Sequence, residues 1–407
     1  AQEQMLTPEL VRTISTVGDV QLSPDGATIV FQVSRALRDD EKPGTAISEI
    51  WKMSSSSGVP SRFTYNDRSD RAPQFSPDGN LLAFLSSRGD PDRNQIYLIP
   101  LDGGDAVQLT KGESPVGAFR WSPDGSMIAY AMTDPHSKEE QAAEKAGKDW
   151  TVADRNYKHT RLYAINTHDR ESRLVTREDL TVYDFDWSPD GRQLALSAAG
   201  TPSIDDSYMK LKLLTVSADG GETKLITKTE GKLAQPRWSP DGKWIAWLGA
   251  TAMNDPFAGS VFVVPAVGGT PENLITGYDG TASWVSWQKG RPNTILFGAF
   301  EHEWTVMQTI SMSDKKPRPF YVQGVIFSGA SFSKDGSLMA FAGNTPQHPN
   351  EIYCGEASNT PLRQISDFNP QLAGVSLGTQ DVITWKSTDG LDIEGVIVKP
   401  VGFQEGK

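Results

Sequence analysis

Glu301-His302-Glu303 is the most compact acid–histidine group in this 407-residue chain. Imidazole titrates near neutrality, so a histidine between two carboxylates is equipped to hold or pass a proton. A loop at the rim of a sheet accounts for it better than a reactive centre. The other histidines, His136, His159, His168 and His348, are dispersed without metal-ligand spacing, and neither a metal nor a cofactor is expected. Asp205 and Asp206 are paired acids able to meet a cation or an amine, but no oxygen-ligand spacing surrounds them and a solvated turn explains them. The densest set lies in one segment, residues 134–160: Glu139, Glu140, Glu144, Asp149 and Asp154, with Trp150 and Arg155 among them. A carboxylate facing a desolvated ammonium makes a strong charge-assisted bond. A guanidinium can hold a carbonyl, and an indole can hold an apolar side chain. The bland alternative for this segment is a solvated helical loop.

No Gly-x-Ser-x-Gly occurs, so no nucleophile elbow is present. There is no phosphate-binding glycine loop, no HExxH and no cysteine pair for zinc. No catalytic residue is assigned in the chain.

The elements that must position these residues come from a repeat. Ser-Pro-Asp-Gly stands at Ser23–Gly26, Ser76–Gly79, Ser122–Gly125, Ser188–Gly191 and Ser239–Gly242. Serine can accept from a nearby backbone N–H, proline presets the first corner, aspartate caps, and glycine takes the left-handed position. The residues after each turn alternate, as in "SMIAYAM" and "KWIAWLG", and read as a strand with one buried face. A sixth copy, "FSKDGSLMAF", has lysine for proline, and "SWQKGRPNTILF" fills a seventh place with a degraded turn. A second signal alternates with the first. Segments such as "QIYLIPLDGGDAVQLT" are an apolar strand, a polar turn and a strand closing on Leu/Ile-Thr. Both signals occur seven times. The expected fold is all-β: a seven-bladed β-propeller of four-stranded blades.

The domains expected are an N-terminal helical segment at 1–15, the propeller at 16–370 with its insertion at 134–160 in blade three, and a linker and hairpin at 371–407. "LTPELVRTIS" (Leu6–Ser15) reads as a short helix capped by Thr7. In the insertion, Ser137 as cap, Glu140 three residues on and Gly147 as stop predict a second helix. The repeat begins on its own first strand and ends on its own last hairpin. No strand is borrowed, so the first and last blades are expected to meet by side-chain packing alone.

Net charge is −12 and no Lys/Arg cluster appears, which argues against nucleic-acid binding. No apolar run approaches the roughly 20 residues of a membrane span. Cys354 stands alone, so no intrachain disulfide can form, and it reads as a small residue on a strand. The opening "AQEQML" lacks an initiator Met and looks like a mature end or a cloning boundary. A periplasmic or secreted bacterial protein is expected, with a cytoplasmic one left open.

The unit "WSPDG…IAF…IY…GG…LT" resembles the WD40-like repeats of TolB and of the propeller domains of prolyl-oligopeptidase-family serine peptidases. "LTPELVRTISTVGDVQLSPDG", "KDWTVADRNYKHTRLYAIN" and "ITWKSTDGLDIEGVIVKP" are similar to the acylaminoacyl-peptidase and dipeptidyl-peptidase-5-like branch. That resemblance implies a non-catalytic propeller gating the access of short peptides to an α/β-hydrolase domain of the same protein. The helix at Leu6–Ser15 and the hairpin would pack on that domain, whose catalytic residues match no position here. It further implies that Glu139, Glu140, Glu144, Asp149, Trp150, Asp154 and Arg155 contact substrate. The chain alone is then expected to be inactive. The alternatives are a stand-alone TolB-like binding or scaffold propeller, and a propeller enzyme with its own channel site.

Overall fold

The computed structural model describes residues 4–36, 46–56, 58–90, 93–148, 150, 155–177, 179–253 and 259–406. The chain is mostly β-strand and forms a seven-bladed propeller of antiparallel sheets. Blade one runs from Thr16–Leu22 to Ser61–Arg62, and blade seven from Ile326–Phe327 to Arg363–Gln364. In blade seven the first strand is broken into two pieces, Ile326–Phe327 and Ser331–Phe332, which both pair with Leu338–Thr345. Two compact units make up the chain: Ala1–Pro73, Gly298–Met307 and Pro319–Lys407 form one, and Gln74–Phe297 with Gln308–Arg318 form the other.

The repeated turn is a closed hydrogen-bond circuit. In the six repeat copies, the five Ser-Pro-Asp-Gly turns and Ser333–Gly336, the serine Oγ donates to the aspartate Oδ1, at 2.5–2.7 Å. The same Oγ accepts the N–H five residues on, at 2.9–3.0 Å. These donors hold each aspartate carboxyl below its ordinary range, that of Asp335 at about 2. The aspartates are thus spent on the turn. The turn glycine also meets the neighbouring blade. A Cβ on Gly125 would lie 3.3 Å from Pro77, and one on Gly242 3.4 Å from Pro189, while φ is +75° and +72°.

The tryptophan before the turn has its own task. The Trp121 indole N–H donates to Gln74 O at 3.3 Å, that of Trp187 to Arg120 O at 3.1 Å, and that of Trp287 to Arg237 O at 3.0 Å. Each bond ties one blade's first strand to the blade before it. The hairpin-closing hydroxyl is equally regular. Thr110 and Thr176 accept from Ile96 N and Leu162 N at 2.9 Å, and Ser366 accepts from Ile352 N at 2.8 Å.

One expectation is corrected here. The strands after the turn are buried on both faces, not one; Leu81–Ser86 and Gln193–Ala199 are buried nearly throughout. Such a strand lies second in its sheet, and in blade four a neighbouring blade covers each face. In blade four, Leu194 and Leu196 join a core with Leu162 and Ala164 of blade three, while Ala195 and Ala199 join one with Ile245 and Trp247 of blade five.

Where blades one and seven meet, no strand is shared. Phe31, Val33, Met53, Ile352 and Cys354 share an apolar core there. Packing does not act alone, contrary to expectation. Ser331 Oγ accepts from Leu22 N at 2.9 Å, and Asn350 donates to Val17 O at 3.1 Å. Lys334, where other turns have proline, donates its N–H to Pro24 O at 2.9 Å. A proline there would have no N–H to give.

The segments outside the blades are sparse. Helix α1, Pro8–Val11, is one turn capped by Thr7 and buries no residue. It is shorter than the sequence pattern suggests, because the first blade strand already starts at Thr16. Gln4–Met5 pairs in parallel with Val375–Ser376. The C-terminal strands Thr379–Lys386 and Asp392–Lys399 form a separate hairpin. Among the described residues no helix is long and apolar enough to cross a membrane.

Candidate functional site

The insertion in blade three leaves the strand Met127–Thr133 and returns in Thr160–Asn166. Its root is clamped. Asp134 N donates to His159 O at 2.8 Å, and Arg161 pairs with Asp134 at 2.7 Å. The buried His159 ring sits 3.0 Å from Thr181 Oγ1. The Asp134 partnership raises the Arg161 pKa further.

Beyond the root, Lys138–Lys145 forms helix α2 with the capping box that Ser137 and Glu140 foretold. Glu140 is the hub of the loop. Its carboxylate accepts from Ser137 N at 2.5 Å and from Asn156 Nδ2 at 2.5 Å, and it pairs with Lys158 at 2.7 Å. These donors, Lys158 first, hold its pKa below the ordinary carboxylate range. Glu140 is therefore committed to holding the returning chain. Glu139, on the same exposed turn, is lowered by its own backbone N–H and Ser137. Glu144 lies 3.7 Å from His136 Nδ1. Trp150 is 69 % exposed, and Arg155 is exposed. Asp149 and Asp154 lie outside the described residues. The fold thus leaves Glu139, Glu144, Trp150 and Arg155 open to solvent and uses Glu140 as a structural tie.

Asp205 and Asp206 stand in a short helix, α3 (Ile204–Met209), where a turn was expected. Asp206 is buried and bonds Thr201 Oγ1 and Lys210 Nζ, each at 2.8 Å. It therefore has its cation already. The group at Glu301–Glu303 is the end of the strand Thr294–Glu301 and the two-residue turn into Trp304–Ser311, with His302 in the left-handed region at φ +52°. The His302 Nδ1 lies 2.7 Å from Glu394 Oε2 on the C-terminal hairpin.

Sequence reasoning passed over a charged chain on the first strands of blades three to five. Arg120 donates to Phe185 O at 2.6 Å and pairs with Asp184 at 3.2 Å. Arg237 stands 3.6 Å from the other Asp184 oxygen, and Asp186 accepts from Trp238 N at 2.9 Å. Desolvation pushes the Asp186 carboxyl up and the Arg237 guanidinium down. The signal was available in "FRW", "FDW" and "PRW": the residue before each tryptophan meets an adjoining blade, Arg120 and Asp186 the next one and Arg237 the one before. A cavity of about 650 Å³ near these blades is lined by Asp190, Arg192, Glu222, Lys224 and Asp241, with both signs of charge. Asp190 and Asp241 there are engaged by their own serines.

The last feature is the terminal hairpin. Every residue of Thr379–Lys386 is exposed, including Val382, Ile383 and Trp385, and the facing strand exposes Val396 and Val398. Ion pairs Lys386–Asp392 at 2.6 Å and Lys399–Asp381 at 2.8 Å brace its two ends. Its turn shares the serine–aspartate bond of the blade turns, with Ser387 Oγ donating to Asp389 Oδ1 at 2.5 Å, but Ser387 N meets Leu391 O four residues on, where Ser239 N meets Trp244 O five residues on.

No family model matches the chain. Among curated proteins it is 27 % identical over 245 residues to the uncharacterized peptidase YuxL of Bacillus subtilis, covering 60 % of this chain and 31 % of that protein. It is 24 % identical over 433 aligned positions to dipeptidyl-peptidase 5 of Porphyromonas gingivalis, covering 99 % of this chain and 62 % of that one. The chain therefore spans about a third to three fifths of the length of these relatives. Among solved structures, the acylaminoacyl peptidase of Pyrococcus horikoshii superposes with a TM-score of 0.72 at 15 % identity, covering 97 % of this chain and 59 % of that one. The β-propeller domain of the trilobed protease from Pyrococcus furiosus, described as having an open velcro topology, gives 0.62 at 12 % identity, with 88 % and 99 % covered. The relatives are peptidases, and the seven-bladed fold is consistent with the propeller domain of prolyl-oligopeptidase-family peptidases.

Proposed function

We propose that this chain is the non-catalytic propeller portion of a serine peptidase, admitting short peptides to an α/β-hydrolase domain of the same protein. The observation that carries the reading is the exposed hairpin of Thr379–Lys399, which has apolar side chains outward on both strands. An isolated two-stranded hairpin is marginal in water and needs a surface to cover it. The greater length of the peptidase relatives supports a domain that supplies this surface. Gating is the second part of this reading: a narrow propeller channel would pass an extended chain and exclude a globule.

In this reading the free amine of a peptide meets Glu139 or Glu144, with Arg155 at a carbonyl and Trp150 against a side chain. Asp149 and Asp154 belong to the same proposal. Glu140 acts indirectly, by shaping the loop that presents the others. The test uses the whole enzyme. Glu139→Ala, Glu144→Ala and Trp150→Ala should raise KM for short peptides several-fold and leave kcat nearly unchanged, as loss of uniform binding does. Unaltered KM in all three removes the assignment.

A further inference from the structure

Blade seven brings together a histidine and two carboxylates that linear spacing had kept apart. His348 and Glu351 stand on its third strand, His348–Glu356, and Asp367 comes just after the short last strand Arg363–Gln364. One ligand atom from each lies within 4.8 Å of the other two. Donors bound to one cation at roughly 2.1 Å stand about 3–4 Å from one another, so a modest side-chain adjustment closes the set.

Blade one offers a control. Glu49 precedes Ile50 as Glu351 precedes Ile352, and both isoleucine N–H groups meet the hydroxyl that closes the hairpin, at 3.2 and 2.8 Å. The Glu49 carboxylate has two guanidinium partners, Arg62 at 3.2 Å and Arg35 at 3.6 Å. Glu351 is fully buried, and among the described residues its partners are the Ser366 hydroxyl and Phe368 N, the latter at 2.8 Å. No lysine or arginine among them pairs with it. Blade seven instead places His348 there and adds a second negative charge, Asp367. A buried carboxylate without a cation is costly, and a second one nearby makes it more so.

The imidazole supplies an independent observation. His348 Nδ1 lies 2.9 Å from Pro349 O. A carbonyl only accepts, so Nδ1 is a donor in this bond, which in the neutral tautomer leaves the lone pair on Nε2. Metal-bound histidines make this same outer bond to a backbone carbonyl, which fixes the tautomer.

We propose that His348, Glu351 and Asp367 form a site for a divalent transition-metal cation of the zinc class, with the remaining positions open to water. One imidazole nitrogen beside two carboxylate oxygens selects such an ion over magnesium or calcium. The metal would tie the third strand of blade seven to the segment that leaves it. The next residues of that segment grip blade one. Phe368 packs edge-on against Phe31 and Trp51 at 5.5 and 5.4 Å, and Asn369 exchanges bonds of 2.8 and 3.0 Å with the Ser15 backbone. The ion would act as a staple at the junction that no shared strand closes, and binding to the native state stabilises it by mass action.

The experiment is calorimetric titration of the chelator-treated 407-residue chain with zinc chloride, paired with thermal unfolding. The expected result is one equivalent bound and a raised Tm. His348→Ala and Asp367→Asn should each weaken binding at least about tenfold and remove the Tm shift, as loss of one of three ligands implies. Asp367 is exposed, so that variant keeps the fold intact if the histidine variant does not. Glu394→Gln, at the unrelated His302 pair, should bind as the parent does. Absence of zinc uptake, or uptake undiminished in either ligand variant, overturns the proposal.

Discussion

Two hairpins in this molecule share a serine–aspartate bond at the turn and differ in burial. Leu233–Gly249 in blade five and Thr379–Lys399 at the C-terminus both turn on Ser-x-Asp-Gly, with Ser239 or Ser387 donating to its aspartate at 2.7 or 2.5 Å. In the blade the strand Trp244–Gly249 is buried nearly throughout, and Trp247 is 1 % exposed. At the C-terminus Trp385 is 48 % exposed and no residue of its strand is buried. The turn therefore fixes the hairpin and says nothing about its neighbours. Burial is decided by what packs on each face.

The comparison breaks most visibly in the core. Trp247→Ala should cost about 3–5 kcal/mol by cavity formation, read as a lower denaturant midpoint. Trp385→Ala, the matching change in the other hairpin, should move the stability of this chain by less than about 0.5 kcal/mol. Equal losses would mean that the terminal hairpin is already docked.

A smaller effect is expected at the blade junctions. Trp187→Phe removes the indole N–H given to Arg120 O and should cost about 1 kcal/mol from the lost bond. Lys334→Pro restores the repeated residue but deletes the N–H given to Pro24 O, and should cost a similar amount of about 1 kcal/mol. A stabilising Lys334→Pro would show that the bond between blades one and seven contributes nothing.

The smallest effect lies in pH dependence. Asp241 and Asp389 are both held below their ordinary value of 3.8, first by their serines. A carboxyl lowered in the native state adds stability that is fully present above the unfolded value and is lost as pH falls through the folded one. Acid unfolding tracked from pH 5 downward should therefore shift to higher pH in the parent than in Ser239→Ala when each is normalised to its neutral-pH stability. Ser387→Ala should leave that profile unchanged, because the terminal hairpin is not part of the cooperative core. A matching response from both variants would erase the distinction between the two hairpins.

The propeller was legible because its signals are local. A turn circuit spanning six residues and a hairpin closed by a hydroxyl recur whatever surrounds them. The Ser137–Glu140 cap was legible for the same reason. What escaped was non-local. Strands such as Gln193–Ala199 read as half-buried because alternation cannot reveal a second blade covering the other face. The role of Lys334 depends on Pro24, far away in sequence. The bonds of Glu140 to Asn156 and Lys158 depend on the chain returning from the insertion. The gathering of His348, Glu351 and Asp367 likewise needs the fold, since a short strand separates the last from the first two.

The central claim is that the exposed hairpin belongs to a peptidase of which this chain is the propeller portion. Reading the source gene past the codon for Lys407 tests it most directly. The account expects an open frame encoding a further domain with a Gly-x-Ser-x-Gly elbow, and its aspartate and histidine downstream. A stop codon directly after Lys407 would contradict it and leave the hairpin to a separate partner.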